Sequence, residues 1–153
     1  MKERMDYFKT DPKALKGMLE LEKYVVASEL DPIIFELVKT RASQINGCAY
    51  CLDMHTKDAR HAGETEQRLY VLSAWKETSF YSDKERAALE YTEALTLISE
   101  NEVSDALYQK VQTHFSDKEL LALTMTIVAI NGWNRIAIAF RTVPGSYQIA
   151  NKD

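Results

Sequence analysis

The chain has 153 residues, 46% of them apolar, with only 5 Gly and 3 Pro, which fits one domain able to bury a core and argues against a disordered chain. Its net charge is −4 with both signs dispersed, so the basic patch expected of a nucleic-acid or anionic-membrane partner is missing. The basic residues of "MKERMDYFKTDPK" precede no apolar stretch of the kind a secretory signal needs, and a cytoplasmic address is expected.

Helical signals dominate, and no hairpin dipeptide is flanked by alternating strands. The expected class is therefore all-α, a compact bundle of about six to seven helices, with a core over about 12–145. The first helix should run from about Pro12 to Ser28, with Asp11 as N-cap. Asp31 and Pro32 repeat that start. The apolar residues Ile34, Leu37, Val38 and Ile45 then share one face, and Asn46-Gly47 ends the helix. A third helix should span about Cys48 to Ala62, closed by Gly63, and a fourth roughly Glu64–Lys76. "YSDKERAALEYT" (81–92) and "FSDKELLALTMT" (115–126) each place a Ser three residues before a Glu, the pattern of a capping box. Long helices should begin at Ser82 and Ser116, with a short one over about Ser104–His114 between them. The likeness of the two stretches is read first as a shared cap, with a duplicated unit as the alternative.

The apolar run Leu120–Ile130 is too short to span a bilayer and suits a buried helix. That last helix is apolar on most sides, more than one small domain readily covers, so subunit packing should cover part of it. "VPG" (143–145) should stop it, and 146–153 should form a loose tail.

Both cysteines, Cys48 and Cys51, fall in "INGCAYCLDMH" (45–55), with His55 one turn beyond. At about 100° per residue the three lie within an arc of about 60° on one helix face. Three chemistries use such a set. A zinc site needs converging ligands, but Cys48 and His55 are about 10 Å apart along one helix, and no second Cys pair exists. Two inert buried thiols are the plain alternative. A redox dithiol accounts for more. A helix N-terminus stabilises a thiolate, and His55, at i+4 from Cys51, is placed to act as its base. Such a base needs an orienting carboxylate. Glu36 is a candidate if the helices before and after Asn46-Gly47 fold back on each other. Set among Ile33, Ile34, Phe35 and Leu37, its pKa would rise; a solvated helix charge is the other reading.

The spacing E-x11-C-x2-C-x3-H at Glu36, Cys48, Cys51 and His55, with the flanking "ASQINGCAYCLDMH", resembles the AhpD-like alkylhydroperoxidase branch of the carboxymuconolactone decarboxylase family. "INGWNRIAIAFRTVPG" (130–145) resembles that branch's closing helix. The resemblance implies an all-α bundle assembling into homotrimers or hexamers. It implies Cys48 and Cys51 as the redox pair, with Glu36 and His55 as a proton relay. The activity implied is that of a thiol-dependent peroxidase or dithiol–disulfide oxidoreductase acting on an organic hydroperoxide or hydrogen peroxide. It would be reduced by a lipoyl- or thioredoxin-like dithiol protein, with no bound cofactor or metal. One departure stands out: Tyr50 occupies the place of a histidine that joins the relay in the best-studied branch, and a phenol does not shuttle protons at neutral pH as imidazole does. A non-catalytic redox-sensing scaffold and a decarboxylase-type activity are the alternatives; the decarboxylases generally lack the CxxC pair.

The remaining residues of note are read as structural. Trp133 is expected in the core, with a substrate platform as the alternative, and Arg135 in an ion pair, within the chain or with a neighbouring subunit, with lining of the thiol pocket as the alternative; His61 and His114 are expected at the surface or at helix ends.

Overall fold

The computed structural model describes residues 2–149. Among them are eight α-helices, two 3-10 segments and no strand. The helices are α1 Tyr7–Thr10, α2 Lys16–Val26, α3 Pro32–Asn46, α4 Ala49–His61, α5 Glu66–Val71, α6 Asp83–Thr96, α7 Asp105–Gln112 and α8 Asp117–Phe140.

Local chemistry sets most boundaries. Asp11 accepts from the Lys13 amide, but the turn it starts is 3-10 (Pro12–Leu15) before α2 begins. Asp31 accepts from the amides of Ile33 and Ile34, and α3 ends on Gly47 in the left-handed region at φ 70°, where a Cβ would be strained. Ser82 and Ser116 both form complete capping boxes with Glu85 and Glu119. The two caps are also neighbours in space, because Lys84 Nζ lies 2.9 Å from Glu119 Oε1.

Three further boundaries differ from the sequence expectation. A short α1, capped by Asp6, precedes the first expected helix. The expected fourth helix is α only to Val71. It continues as a 3-10 segment, Leu72–Glu77, broken at Ala74, and this seats Trp75 in the core. The last helix stops at Arg141, itself left-handed at φ 55°, ahead of Pro144.

Helix α3 lies at the centre, packed on α4, α6 and α8. One face carries Ile34 and Val38 into a cluster with Ala87, Tyr91, Leu123 and Ile127. Leu37 enters a second cluster with Ala59, Leu72, Trp75 and Leu89. Each fully buried Leu or Ile contributes roughly 1.5–3 kcal/mol. Helix α3 also buries Glu36, Lys39, Thr40 and Ser43. Buried polar groups need partners, and Ser43 finds one in Asn134 of α8, whose Nδ2 donates to Ser43 Oγ at 3.0 Å.

At 24 residues α8 is long and apolar enough to cross a membrane by length and composition, longer than the run read from sequence. It packs on α2, α3, α4, α6 and α7. Leu121, Val128 and Ile138 on it stay 55%, 49% and 44% exposed.

Candidate active site

The turn at Gly47 folds α4 back along α3 and brings together residues far apart in sequence. Cys48 is the N-cap of α4, and its Sγ accepts from the Cys51 amide at 3.3 Å. The two sulfurs are joined as a disulfide with the Cα atoms 5.4 Å apart. A thiolate at this position would face the positive end of α4.

One turn further along α4, His55 is buried, and its Nδ1 lies 3.0 Å from Oε2 of Glu36 on α3. Burial pushes Glu36 up to about 7, against the lowering effect of the Lys39 ammonium. Burial also pushes His55 down to about 3, and Lys39 acts in the same direction. Both shifts favour neutral groups, so the contact is not a fixed ion pair. With Glu36 ionised, neutral His55 donates Nδ1–H to it, which leaves Nε2 as the ring's free proton acceptor.

Glu36, His55 and Cys51 line one cavity of about 330 Å³. Tyr7, Phe8, Phe35, Tyr50 and Trp133 supply aromatic wall. Cys48 does not line it; that residue borders a separate cleft with Gly47, Tyr50, Ile138 and Arg141.

Four residues of this cavity, Glu22, Lys39, Asp58 and Tyr147, carry no signal in the sequence, and a fifth, Trp133, reads there as core. Lys39, buried, is paired with Glu22 of α2 and lies 4.3 Å from the centre of the Phe35 ring. Glu22 also accepts from Trp133 Nε1 at 3.0 Å, which places Trp133 in the cavity wall instead of the core expected for it. Asp58, one turn past His55, accepts from Tyr147 Oη at 2.7 Å. Tyr147 lies in the stretch expected to be loose. Lys57 Nζ donates to its carbonyl at 3.1 Å, and Gly145 N donates to Asp53 at 2.9 Å, so the segment is strapped to α4 as far as it is described. Residues 150–153 of the expected tail lie outside the described residues.

Arg135 does not enter the cavity. It is exposed and donates to Asn131 of its own helix, and no ion pair is formed by it among the described residues. His61 is exposed at the end of α4 and His114 follows α7.

The profile of the carboxymuconolactone decarboxylase family matches residues 12–94, more than half of the chain and the whole of the Glu36-to-His55 constellation. The chain belongs to that family. Within it the chain falls in the AhpD-like branch. It is similar to the uncharacterized protein YdfG of Bacillus subtilis, 48% identical over 139 residues that cover 91% of this chain and 95% of YdfG. Among solved structures it is similar to an Agrobacterium tumefaciens protein of unknown function likened to the antioxidant defence protein AhpD. The two share 43% identity with a TM-score of 0.91, over 95% of this chain and all of that one. A peroxidase-related protein from Ralstonia eutropha, described as an alkylhydroperoxidase AhpD core, shares the fold at 17% identity and a TM-score of 0.80, over 92% of this chain and 75% of that one. The all-helical AhpD-like fold is thus shared across wide sequence divergence.

Proposed function

We propose that this family member is a thiol-dependent hydroperoxide reductase that works as a dithiol–disulfide oxidoreductase. The observation that carries the reading is the buried Glu36–His55 pair in the wall of the cavity that Cys51 lines, with Cys51 joined to Cys48. In the reduced protein, ionised Glu36 fixes the His55 tautomer and stabilises the imidazolium that burial alone disfavours, so that His55 Nε2 takes the proton of Cys51. The Cys51 thiolate attacks the distal oxygen of the hydroperoxide. The O–O bond breaks and the alcohol, or water from hydrogen peroxide, leaves after protonation. Cys51 is then a sulfenic acid. The Cys48 thiol attacks its sulfur, water is released, and the Cys48–Cys51 disulfide forms. An external dithiol, lipoyl- or thioredoxin-like, restores both thiols by exchange and is itself oxidised. Cys51 is the sulfur that attacks peroxide, because it lines the cavity with His55 while Cys48 borders the neighbouring cleft.

The apolar, aromatic wall favours an organic hydroperoxide over a strongly charged one. No resident cofactor enters this scheme. The exposed apolar residues of α8 support a homo-oligomer in which a neighbouring subunit covers them, and the family resemblance implies a trimer or hexamer. The cytoplasm, where thiols are kept reduced, suits the cycle.

The test is consumption of an organic hydroperoxide by the purified protein with excess dithiol, beside Cys51→Ser and Glu36→Gln. Many turnovers in the wild type with a large loss in both variants are expected. Absence of turnover with a disulfide that still forms reversibly would overturn the peroxidase reading in favour of a disulfide carrier or sensor. Full activity in Cys51→Ser with loss in Cys48→Ser would reverse the assignment of the attacking sulfur.

A further inference from the structure

One cluster in the cavity is not used by the thiol cycle as a whole. Glu36, His55 and Asp58 each present a ligand atom, and the three atoms lie within 4.8 Å of one another. Glu36 and His55 are buried and Asp58 is half-buried. From these we infer a binding site for a divalent transition-metal ion of the Zn²⁺ type, made of one imidazole and two carboxylates.

The arrangement is related to the metal sites of helix bundles, where a carboxylate from one helix faces a carboxylate and a histidine at i, i+3 on another, there with the carboxylate first. Here Glu36 of α3 faces the His55/Asp58 pair of α4. A tetrahedral zinc ion holds its ligand atoms about 3.3 Å apart, so the set must close by on the order of 1 Å. Three protein ligands leave a fourth position, and the cavity supplies room for water there. Tyr147 donates to Asp58 Oδ1 and fixes that carboxylate's orientation. Two carboxylates at this range repel each other, and an ion between them turns the repulsion into attraction. The nearby cation of the cavity wall, Lys39, is taken up by Glu22 and the Phe35 ring.

The cysteines are not part of the set. Cys51 and Asp58 are i, i+7 on α4, about 10 Å apart along the axis, too far to share one ion. The set is complete without either sulfur. Its consequence rests on the proposed thiol chemistry: an ion held by His55 and Glu36 withdraws the base from Cys51 and switches the relay off.

The binding test uses the Cys48→Ser/Cys51→Ser double variant, which has no thiol, titrated with Zn²⁺ against a chromogenic chelator. One ion per chain is expected, with affinity at least tenfold weaker when Asp58→Asn or Glu36→Gln is added. Circular dichroism confirms that each variant keeps its helical content. No stoichiometric binding in the double variant overturns the site, as does binding that neither added substitution weakens. In a second arm, wild-type protein and Asp58→Asn, both with cysteines intact, are assayed for hydroperoxide reduction with and without Zn²⁺. Inhibition of the wild type alone supports the switch. Equal inhibition of both assigns the effect to the thiols and overturns the switch. A wild type that reduces no hydroperoxide even without Zn²⁺ overturns the thiol reading and the switch together, while the titration of the double variant decides the site by itself.

Discussion

His55 Nδ1 and Glu36 Oε2 meet at 3.0 Å across 19 positions of sequence, on two helices joined by the Gly47 turn. A carboxylate on Nδ1 leaves Nε2 as the basic nitrogen, so the state of Glu36 sets the strength of the base offered to Cys51. With Glu36 raised to about 7, the alkylation rate of the reduced Cys51 thiol should climb with pH through an inflection near that value. In Glu36→Gln the inflection should vanish and the rate at neutral pH fall by about a hundredfold, the common size of a general-base effect. The measurement is the iodoacetamide rate of each reduced protein from pH 5 to 9, made in Cys48→Ser to isolate Cys51. An unchanged inflection would remove Glu36 from the relay.

The same pair makes opposite contributions to stability as pH changes. Glu36 is raised from 4.5 to about 7 by burial, so its contribution is fully present below pH 4.5 and is lost as pH rises toward 7. His55 is lowered from 6.5 to about 3, so its contribution is present above pH 6.5 and is lost as pH falls toward 3. Glu36→Gln removes only the first of these. Relative to the wild type, the variant should therefore gain stability as pH rises from 4.5 to 7. Urea unfolding at a series of pH values reads the difference. A gap between the two proteins that stays constant over this range would show that Glu36 is not desolvated.

Local rules made the scaffold legible in the sequence. Asp31, Ser82 and Ser116 cap helices by contacts within three residues, and Gly47 ends α3 because its backbone is left-handed. Glu36 and His55 were legible for a related reason. A tight turn returns α4 along α3, and two helical periods then fix which residues face each other. The rest of the cavity depends on contacts that no local pattern encodes. Trp133 lies in an apolar helix and reads as core, yet its indole N–H reaches Glu22, 111 positions away. Lys39 has the same distant partner. Tyr147 follows a Pro-Gly break just past the end of α8, and only the tertiary fold brings Asp58 beneath it. The kink at Ala74 is likewise tertiary, since burial of Trp75 outweighs continuation of a regular helix.

The strap over α4 gives a prediction of its own. Tyr147→Phe deletes the hydroxyl that donates to Asp58 at 2.7 Å but keeps the ring. A hydrogen bond to a charged group contributes about 1.5–3 kcal/mol, and solvent exposure at this edge reduces that toward the lower figure. Global stability should fall by about 1 kcal/mol or less, because the segment can detach without unfolding the bundle. Access to the cavity should change more. A bulky thiol reagent should reach reduced Cys51 several-fold faster in the variant, while a small one reacts at nearly the wild-type rate. Equal acceleration of both reagents would mean that Tyr147 acts on thiol reactivity and not on entry.

Asn134 should prove the most costly polar residue to remove from the bundle. It is fully buried on α8, donates to Ser43 Oγ at 3.0 Å, and accepts from Asn46 Nδ2 at 2.8 Å. Asn46 Nδ2 also donates to Asn131, so the loss reaches the end of α3 just before the Gly47 turn. Asn134→Ala leaves a cavity and strands the Ser43 hydroxyl's acceptor site, whereas Asn134→Leu fills the volume but still leaves Asn46 and Ser43 short of partners. Both substitutions should destabilise the protein by about 2–4 kcal/mol in urea unfolding. Because α3 and α4 are registered through this turn, each should also slow hydroperoxide reduction at temperatures where the variant remains folded. A stable Asn134→Leu with full activity would show that the network is dispensable for the site. A stable protein with impaired turnover would assign the network to holding Glu36 and His55 in register.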